Sequence, residues 1–520
     1  MKLAELIREA GLQLRDEGGA KLPGQIEING IAYDSRRVQP GNLFVAIRGE
    51  KDDGHRFITS AVEQGAAAVL GESDPGSRPV RVPYLRVADS RAALALLSAV
   101  FLQNPSRGLI LVAVTGTNGK TTTTYLIESI LRAAGLAPGL IGTVEYRFAG
   151  ERRAAPRTTP ESWDLQNLFA EMRKAGAKSV VMEVSSHALV LGRVRGLAFH
   201  GAVFTNLSPE HLDFHRDLED YFQAKRKLFW MELDGKTRAG AFAVINRDDS
   251  FGERLAAEVE EKKSGRDGVR VLGFSGKGKP GAVIRPREVT ERWDGIRATV
   301  ETPAGAVRVD SALLGHFNLE NILGAVGAGV GLSIPTEMIA RGISEVRAVP
   351  GRLERVEPAG SGPFDFQVLV DYAHTPDALE KVLAMLAGIK SGGRLITVFG
   401  CGGDRDKSKR PVMGKKAAAL TDLLVLTSDN PRSEDPQAII AAIRAGVEET
   451  GRMREGQNFW IVPDREEAIR LAIGKARKGD LVLLAGKGHE TEQIIGKERI
   501  PFDDRVVAAR ALAERRAPCA

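Results

Sequence analysis

Residues 114–122 read Val-Thr-Gly-Thr-Asn-Gly-Lys-Thr-Thr, a glycine-rich turn that ends in a lysine and two hydroxyls. Glycines let backbone N–H groups turn toward phosphate oxygens, and a helix beginning at the lysine adds the partial positive charge of its N-terminus. In such a cradle, formed by Gly116, Thr117, Asn118, Gly119, Lys120, Thr121 and Thr122, Lys120 reaches the outer phosphates of ATP and Thr121 holds Mg²⁺. The spacing departs from the common G-x-x-x-x-G-K-[ST] because position 114 is Val. A turn of this composition handles phosphate only if a strand delivers it and a helix leaves it.

Both elements are expected. Residues 109–114, Leu-Ile-Leu-Val-Ala-Val, form an apolar run suited to a central parallel strand. The spacing after the loop predicts an amphipathic helix over 121–134. Strand-like runs at 179–184, 201–205 and 241–245, with helical stretches between several of them, predict a sheet covered on both faces. Residues 265–312 are more polar and read as a small antiparallel excursion. Val-Pro-Gly at 349–351 is a natural hinge, and beyond it runs at 368–370, 395–399, 423–426 and 481–484 alternate with helices as a second open α/β sheet. Ahead of the loop come a strand at 41–47, a helix at 57–65, a strand at 67–70 and a helix at 91–102, closed by the breaker Asn104-Pro105-Ser106. The expected fold is α/β in three domains: a smaller N-terminal α/β domain (1–106), a central domain with a phosphate-loop ATPase-type parallel sheet (107–348), and a C-terminal domain with a Rossmann-like sheet (349–520).

Composition agrees with such a chain. Its 520 residues exceed what one core serves, and 43% hydrophobic with 27% charged residues is ordinary for a folded, water-soluble protein. A net charge of +6 over this length does not argue for nucleic acid, whereas small acidic substrates would account for local clusters of Arg and Lys. Cys401 and Cys519 are the two cysteines, which gives neither a disulfide framework nor a thiol metal site. The start of the chain lacks the charged-then-apolar run of a signal peptide, and no stretch approaches a membrane span. A cytoplasmic, monomeric enzyme is the expectation.

The variant loop at 115–122 resembles that of the Mur ligases, the amide-forming synthetases of peptidoglycan precursors, which count folylpolyglutamate synthase as a relative. Further blocks of the same family occur in order: Glu183-Val184-Ser185-Ser186-His187, Thr205-Asn206-Leu207 through His211-Leu212-Asp213, and Gly315-His316-Phe317-Asn318-Leu319-Glu320-Asn321. They continue with Pro350-Gly351-Arg352-Leu353-Glu354, Asp371-Tyr372-Ala373-His374-Thr375-Pro376-Asp377 and Gly486-Lys487-Gly488-His489-Glu490. The resemblance implies a two-step reaction in which a substrate carboxylate attacks the γ-phosphate of ATP and an amine then displaces phosphate from the acyl-phosphate. Two anions must be aligned and their repulsion cancelled, which calls for Mg²⁺ and cations. By resemblance the charges fall to Lys120, His211 and Lys225. A second Mg²⁺ falls to Glu183, His211 and a carbamylated Lys225, beside Thr121 at the nucleotide Mg²⁺. Asn318 resembles the residue near the adenine, and Arg352 and Asp371 resemble residues that reach ATP from the third domain.

The resemblance also places substrates. The first domain would bind the UDP-precursor, with Ser35 in a uridine-side motif. Thr158, Thr159, Ser185 and Arg193 would contact the rest of that precursor, while Arg157 and Leu191 stand where relatives carry amides. Asp429-Asn430-Pro431-Arg432 resembles the signature of the family member that adds meso-2,6-diaminopimelate to UDP-N-acetylmuramoyl-L-alanyl-D-glutamate. Arg405, Gly486 and Glu490 resemble the rest of that amino-acid pocket. A guanidinium can grip the second carboxylate of diaminopimelate with two parallel hydrogen bonds. The alternatives are the same ligase with L-lysine as acceptor, folylpolyglutamate synthase, which lacks a first domain like residues 1–106, and a phosphate-loop switch or motor ATPase.

Overall fold

The computed structural model describes all residues except 15–24, 50–51, 74–79, 231–239, 264–267, 358–363, 391 and 517–520, so Cys519 lies outside the described residues. The apolar run before the phosphate loop becomes the strand Ile110–Thr115 at the middle of an eight-stranded sheet. The strand order is Arg270–Phe274, Phe242–Asn246, Gly201–Phe204, Ile110–Thr115, Ser179–Glu183, Pro138–Ile141, Glu145–Phe148, Glu151–Ala154. The first six are parallel and the last two fold back as an antiparallel meander. Alternation along the strand divides its side chains between two cores. Val112 and Val114 pack with helices Lys120–Ala133 and His316–Gly331, while Leu111 and Ala113 pack with Ser162–Lys174 and Ser250–Lys263. Burial on both faces is why this sheet reads as continuous apolar runs.

The polar stretch from 265 to 312 is not one antiparallel unit. Arg270–Phe274 joins the central sheet as its edge strand, parallel to Phe242–Asn246. Only Arg285–Arg292, Gly295–Glu301 and Val307–Ser311 form the antiparallel sheet. An edge strand with Arg270 exposed at its start resembles a surface strand in sequence, yet Leu272 and Phe274 are buried in the parallel core. The strand Pro138–Ile141 also escapes a composition reading, since Pro138 sits at its first position, where a missing N–H costs no ladder bond.

Residues of the first domain form a four-stranded parallel sheet, Gly30–Ala32, Asn42–Val45, Ala68–Gly71 and Tyr84–Arg86. The expected helix at 57–65 is a 3₁₀ turn, Gly54–Phe57, followed by a short α-helix, Ile58–Glu63. This sheet is fastened to the central one by side chains. The Tyr33 hydroxyl donates to Asp164, Arg91 Nη1 donates to Glu161 Oε2 (3.0 Å), and the rings of Phe101 and Trp163 meet at 5.9 Å.

The C-terminal sheet runs Glu354–Arg355, Gln367–Asp371, Leu481–Ala485, Leu395–Phe399, Leu423–Leu426, Phe459–Ile461, parallel except for the first strand. Leu369 and Leu483 face one core, Val368, Val370, Val482 and Leu484 the other. A hairpin, Glu492–Ile495 with Glu498–Pro501, follows the last long strand. No helix among the described residues is long and apolar enough to cross a membrane. Ligands of open α/β sheets gather beyond the carboxyl ends of the strands. Most of the blocks singled out for chemistry follow such an end: after Thr115, Glu183 and Phe204 in the central sheet, after Asp371, Phe399, Leu426 and Ala485 in the C-terminal one. The block at 315–321 instead opens the helix His316–Gly331, and the block at 350–354 runs into the strand Glu354–Arg355.

Candidate active site

The phosphate loop is built around two glycines that nothing larger could replace. Gly116 has φ 143° and a Cβ there would lie 1.9 Å from Thr205 Oγ1; Gly119 has φ 85° and its Cβ would lie 2.2 Å from Asn321 Oδ1. The next strand end pins the loop, with Thr117 N donating to Asn206 O (2.8 Å), Asn118 N to Asn206 Oδ1 (2.9 Å) and Thr205 Oγ1 to Asn118 O (2.6 Å). The helix begins at Lys120, whose Nζ donates to the loop carbonyls of Gly116 (3.0 Å) and Thr117 (2.7 Å).

A cavity of about 720 Å³ opens above this loop. Lys120, Thr121, Glu183, His211 and Lys225 line it from the central domain, and Arg352 and Asp371 line it from the C-terminal domain. Glu183 is buried and accepts from Thr143 N (2.9 Å) and Thr143 Oγ1 (2.9 Å). His211 adopts a left-handed backbone (φ 57°), and burial, against the opposing pull of Glu210, lowers its ring to about 4, so the imidazole is neutral at pH 7. Lys225 is 1% exposed; its amine donates to Gly116 O (2.7 Å) and lies 4.4 Å from the centre of the Tyr221 ring. Burial and the neighbouring Lys120 hold it well below the usual lysine range, with Glu210 opposing.

These donors suit a hard cation that shares its shell with phosphate. Among the described residues no three His, Cys, Asp or Glu side chains converge into an all-protein cage. Mg²⁺ does not require one, since it is held by one or two carboxylates together with substrate phosphates and water. Thr121 and Glu183 on one cavity wall, with a neutral His211 nearby, fit that pattern.

From the C-terminal side, Arg352 Nη2 approaches Thr121 Oγ1 (3.4 Å) while its guanidinium lies 4.6 Å above the Tyr372 ring. Asp371 accepts from Leu353 N (2.8 Å) and Ala373 N (2.8 Å), so its carboxylate fixes the turn that carries Arg352. Burial raises its pKa, and Arg352 opposes the rise. Asn318 lines the cavity with its amide held inside the protein, donating to Leu314 O (2.8 Å) and accepting from Asn321 Nδ2 (2.9 Å). Asp377, to which the sequence reading gave no role, joins the two domains: its Oδ2 accepts from Asn118 Nδ2 (3.2 Å) and Ser208 Oγ (3.2 Å). Glu210 and His374 likewise face each other across the domains at 3.8 Å. All three lie inside blocks already singled out, but only the fold shows that their side chains meet.

The residues assigned to the precursor divide. Thr158 and Ser185 line the cavity, Thr158 beside Thr143 Oγ1 (3.1 Å) and Ser185 as the cap of helix Ser186–Val190, accepting from Ala188 N (3.2 Å). Thr159 is buried with its hydroxyl committed to Glu183 O (2.9 Å), and Arg193 reaches Glu161 Oε2 (3.3 Å) and Thr159 O (3.3 Å). Both therefore support the wall that Thr158 and Ser185 face. Ser35 is buried in the 3₁₀ turn Ser35–Arg37 of the first domain.

The acceptor residues surround the carboxyl ends of the C-terminal strands. Arg432 has φ 52° and donates from Nη1 to Gly403 O (2.7 Å); its side chain and that of Arg405 both border Gly402. Pro431 O lies against Gly403, which fixes the turn between them. Asn430 Nδ2 donates to Glu490 Oε2 (2.7 Å). Asp429 is buried beside Gly486, and its Oδ1 has no hydrogen-bond partner among the described residues. Below them, fully buried Arg465 pairs with Asp504 (2.7 Å) and donates to Ser428 O (3.3 Å) and Ala485 O (3.1 Å), tying the loops that precede Asp429 and Gly486 to one point. Of the ten non-glycine residues with positive φ among the described residues, four (His211, Leu353, Asp404 and Arg432) lie at or beside a candidate site residue, where strain is held by a functional site.

Profiles described as "Mur ligase family, catalytic domain", "Mur ligase middle domain" and "Mur ligase, glutamate ligase domain" match residues 27–102, 114–329 and 351–488. The chain is 46% identical over 99% of both lengths to the UDP-N-acetylmuramoyl-L-alanyl-D-glutamate–2,6-diaminopimelate ligase of Geobacter metallireducens. It is 47% identical over 94% of both lengths to the ligase of that name from Solibacter usitatus. A solved structure of a ligase with that name superposes with a TM-score of 0.70 at 31% identity, covering 100% of both chains.

Proposed function

Because the chain belongs to the Mur ligase family, we propose that it is an ATP-dependent acid–amino-acid ligase that adds meso-2,6-diaminopimelate to UDP-N-acetylmuramoyl-L-alanyl-D-glutamate in peptidoglycan precursor synthesis. The observation that carries this reading is the shared cavity, with the phosphate loop on one wall and Arg352 and Asp371 of the other sheet on the opposite one. A triphosphate and a carboxylate can lie together there. The acceptor residues Arg405, Asp429, Asn430, Arg432 and Glu490 do not line this cavity, and the loop at 486–490 adjoins it through the contact of His489 with Tyr372.

The D-glutamate γ-carboxylate oxygen attacks the γ-phosphorus of ATP, the bond to the β–γ bridging oxygen breaks, and ADP leaves. The diaminopimelate amine then attacks the acyl carbon, loses a proton and expels inorganic phosphate, leaving an amide. Lys120 and Arg352 hold the phosphates in line for the first step, and Asp377 and the Glu210–His374 contact keep the C-terminal domain over the loop. Thr121 and Glu183, with His211 nearby, would hold Mg²⁺, which when bound would supply positive charge against the phosphate oxygens. Carbamylation of Lys225 supports that site, since it turns a cation crowded against Lys120 into an anion. Residues 1–106 hold the uridine end with Ser35, residues 107–348 the ATP with Asn318 near the adenine, and residues 349–520 the acceptor. Thr158 and Ser185 receive the middle of the precursor. Arg405 and Arg432 grip the distal carboxylate of diaminopimelate, and Asp429 and Glu490 take ammonium groups.

ADP release measured with each component omitted tests this. Turnover is expected only with ATP, Mg²⁺, precursor and amino acid together, and faster with meso-diaminopimelate than with L-lysine. Hydrolysis without precursor or amino acid would instead identify a switch or motor ATPase, and faster turnover with lysine would overturn the acceptor.

A further inference from the structure

Lys487 is 0% exposed, an uncommon place for an ammonium group. Its Nζ lies 2.6 Å from Glu492 O, 3.2 Å from Asn430 Oδ1 and 3.3 Å from Glu490 Oε2, so three N–H donors meet three oxygens, with Asp429 Oδ1 next at 3.8 Å. These partners come from three segments: the loop after Leu423–Leu426, the loop after Leu481–Ala485, and the hairpin strand Glu492–Ile495.

The consequence lies in what the lysine leaves free. Asn430 Oδ1 is taken by Lys487 Nζ and by Ile494 N (3.0 Å), so the amide cannot turn over, and its NH₂ faces Glu490 Oε2. Oε2 of Glu490 thereby receives two donors, and among the described residues none donates to Oε1, which is left for a ligand. Asp429 Oδ1, buried and without a hydrogen-bond partner among the described residues, lies 3.8 Å from Lys487 Nζ, and its charge acts on Glu490. Two carboxylates this close repel each other, and Lys487 is the cation between them.

We propose that Lys487 is a positioning residue for the acceptor amino acid: its buried ammonium locks the Asn430 amide with the NH₂ toward the pocket and keeps Glu490 charged and aimed at the acceptor's distal ammonium. This rests on the acceptor site described under Proposed function. Lys487 itself touches no substrate; it acts through Asn430 and Glu490.

The test is Lys487→Gln in the full chain, with kcat and KM measured for diaminopimelate, ATP and precursor across pH. The KM for diaminopimelate is expected to rise about 10- to 100-fold, the cost of freeing a buried polar partner, with kcat and the KM for ATP changed by less than about threefold. The groups facing Glu490 are Asp429, Lys487, Tyr372 and Arg465. Burial and the neighbouring Asp429 already push the Glu490 carboxyl up, and Lys487 opposes them, so removing the lysine raises Glu490 further and the acid limb of kcat/KM for diaminopimelate moves to higher pH. An unchanged KM and limb would overturn the proposal, as would an equal loss for ATP and diaminopimelate with a lowered Tm. Should Lys487→Gln fail to fold, Lys487→Ala assayed with ethylammonium supplies the second reading: recovery of kcat/KM for diaminopimelate supports the role and no recovery refutes it. A wild-type chain inactive with diaminopimelate would refute the acceptor reading instead, so the two failures are distinct.

Discussion

Lys225→Ala lowers the rate of amide formation by roughly 10²–10³, the cost of losing one preorganised charge at a phosphoryl-transfer site, with little change in the KM for ATP. The size follows from where the side chain lies. Lys225 is buried at the phosphate loop, its amine on Gly116 O, and Lys120 reaches the same carbonyl at 3.0 Å. Two cations against one carbonyl are an unfavourable resting state, and burial adds to it. An uncharged amine in that position attacks CO₂ at carbon, releases one proton and becomes a carbamate, which puts a negative charge near His211 and Lys120. In the wild-type enzyme, depletion of CO₂ and bicarbonate is therefore expected to lower activity reversibly. The alanine variant, with no amine to modify, is expected to be indifferent to both. Full activity of Lys225→Ala in steady-state assays would remove the residue from the reaction.

Arg432→Met is expected to lower kcat/KM for meso-diaminopimelate by a factor of about thirty to several thousand, equivalent to about 2–5 kcal/mol for a buried charge pair broken on one side. Turnover with L-lysine is expected to hold or rise, so the ratio between the two acceptors falls by at least that factor. Lysine lacks the distal carboxylate and would leave the wild-type guanidinium desolvated and unpaired. The substitution is a fair test because the backbone at 432 is held independently: Arg432 N donates to Ile494 O (3.0 Å), and Gly496 N donates to Arg432 O (2.7 Å). Among the described residues the side chain gives up its Nη1 bond to Gly403 O and its charge near Asp404. Competition between the two amino acids in one assay reads the ratio directly, and an unchanged ratio would place the carboxylate elsewhere.

Much of this arrangement can be read in the chain because its physics is local. Parallel strands buried on both faces leave uninterrupted apolar runs, and a phosphate loop needs glycines at fixed places, so the α/β fold and the loop at 115–122 follow from short segments. What fails is whatever depends on distant partners. Arg270–Phe274 looks like part of a polar hairpin until its pairing with Phe242–Asn246 buries Leu272 and Phe274. The left-handed backbones of His211 and Arg432 have no signature in residue type, since neither is glycine or asparagine. Asp371 reads as a ligand-facing acid, yet both of its oxygens also hold the turn that carries Arg352. Lys487 sits inside a block singled out for Gly486 and Glu490, but nothing in sequence shows that its ammonium is buried between Asn430 and Glu490. Thr159 and Arg193 resemble precursor contacts, and the fold gives each an internal partner.

The central claim is that the phosphate loop and the acceptor loops act on one carboxylate. Precursor labelled with ¹⁸O in the D-glutamate γ-carboxylate, incubated with ATP, Mg²⁺ and meso-diaminopimelate, tests it by mass spectrometry of the released phosphate. Transfer of one labelled oxygen to phosphate for each amide formed is the result expected, because the bond that breaks in the second step lies between the acyl carbon and that oxygen. Phosphate free of the label, with amide still formed, would contradict the account.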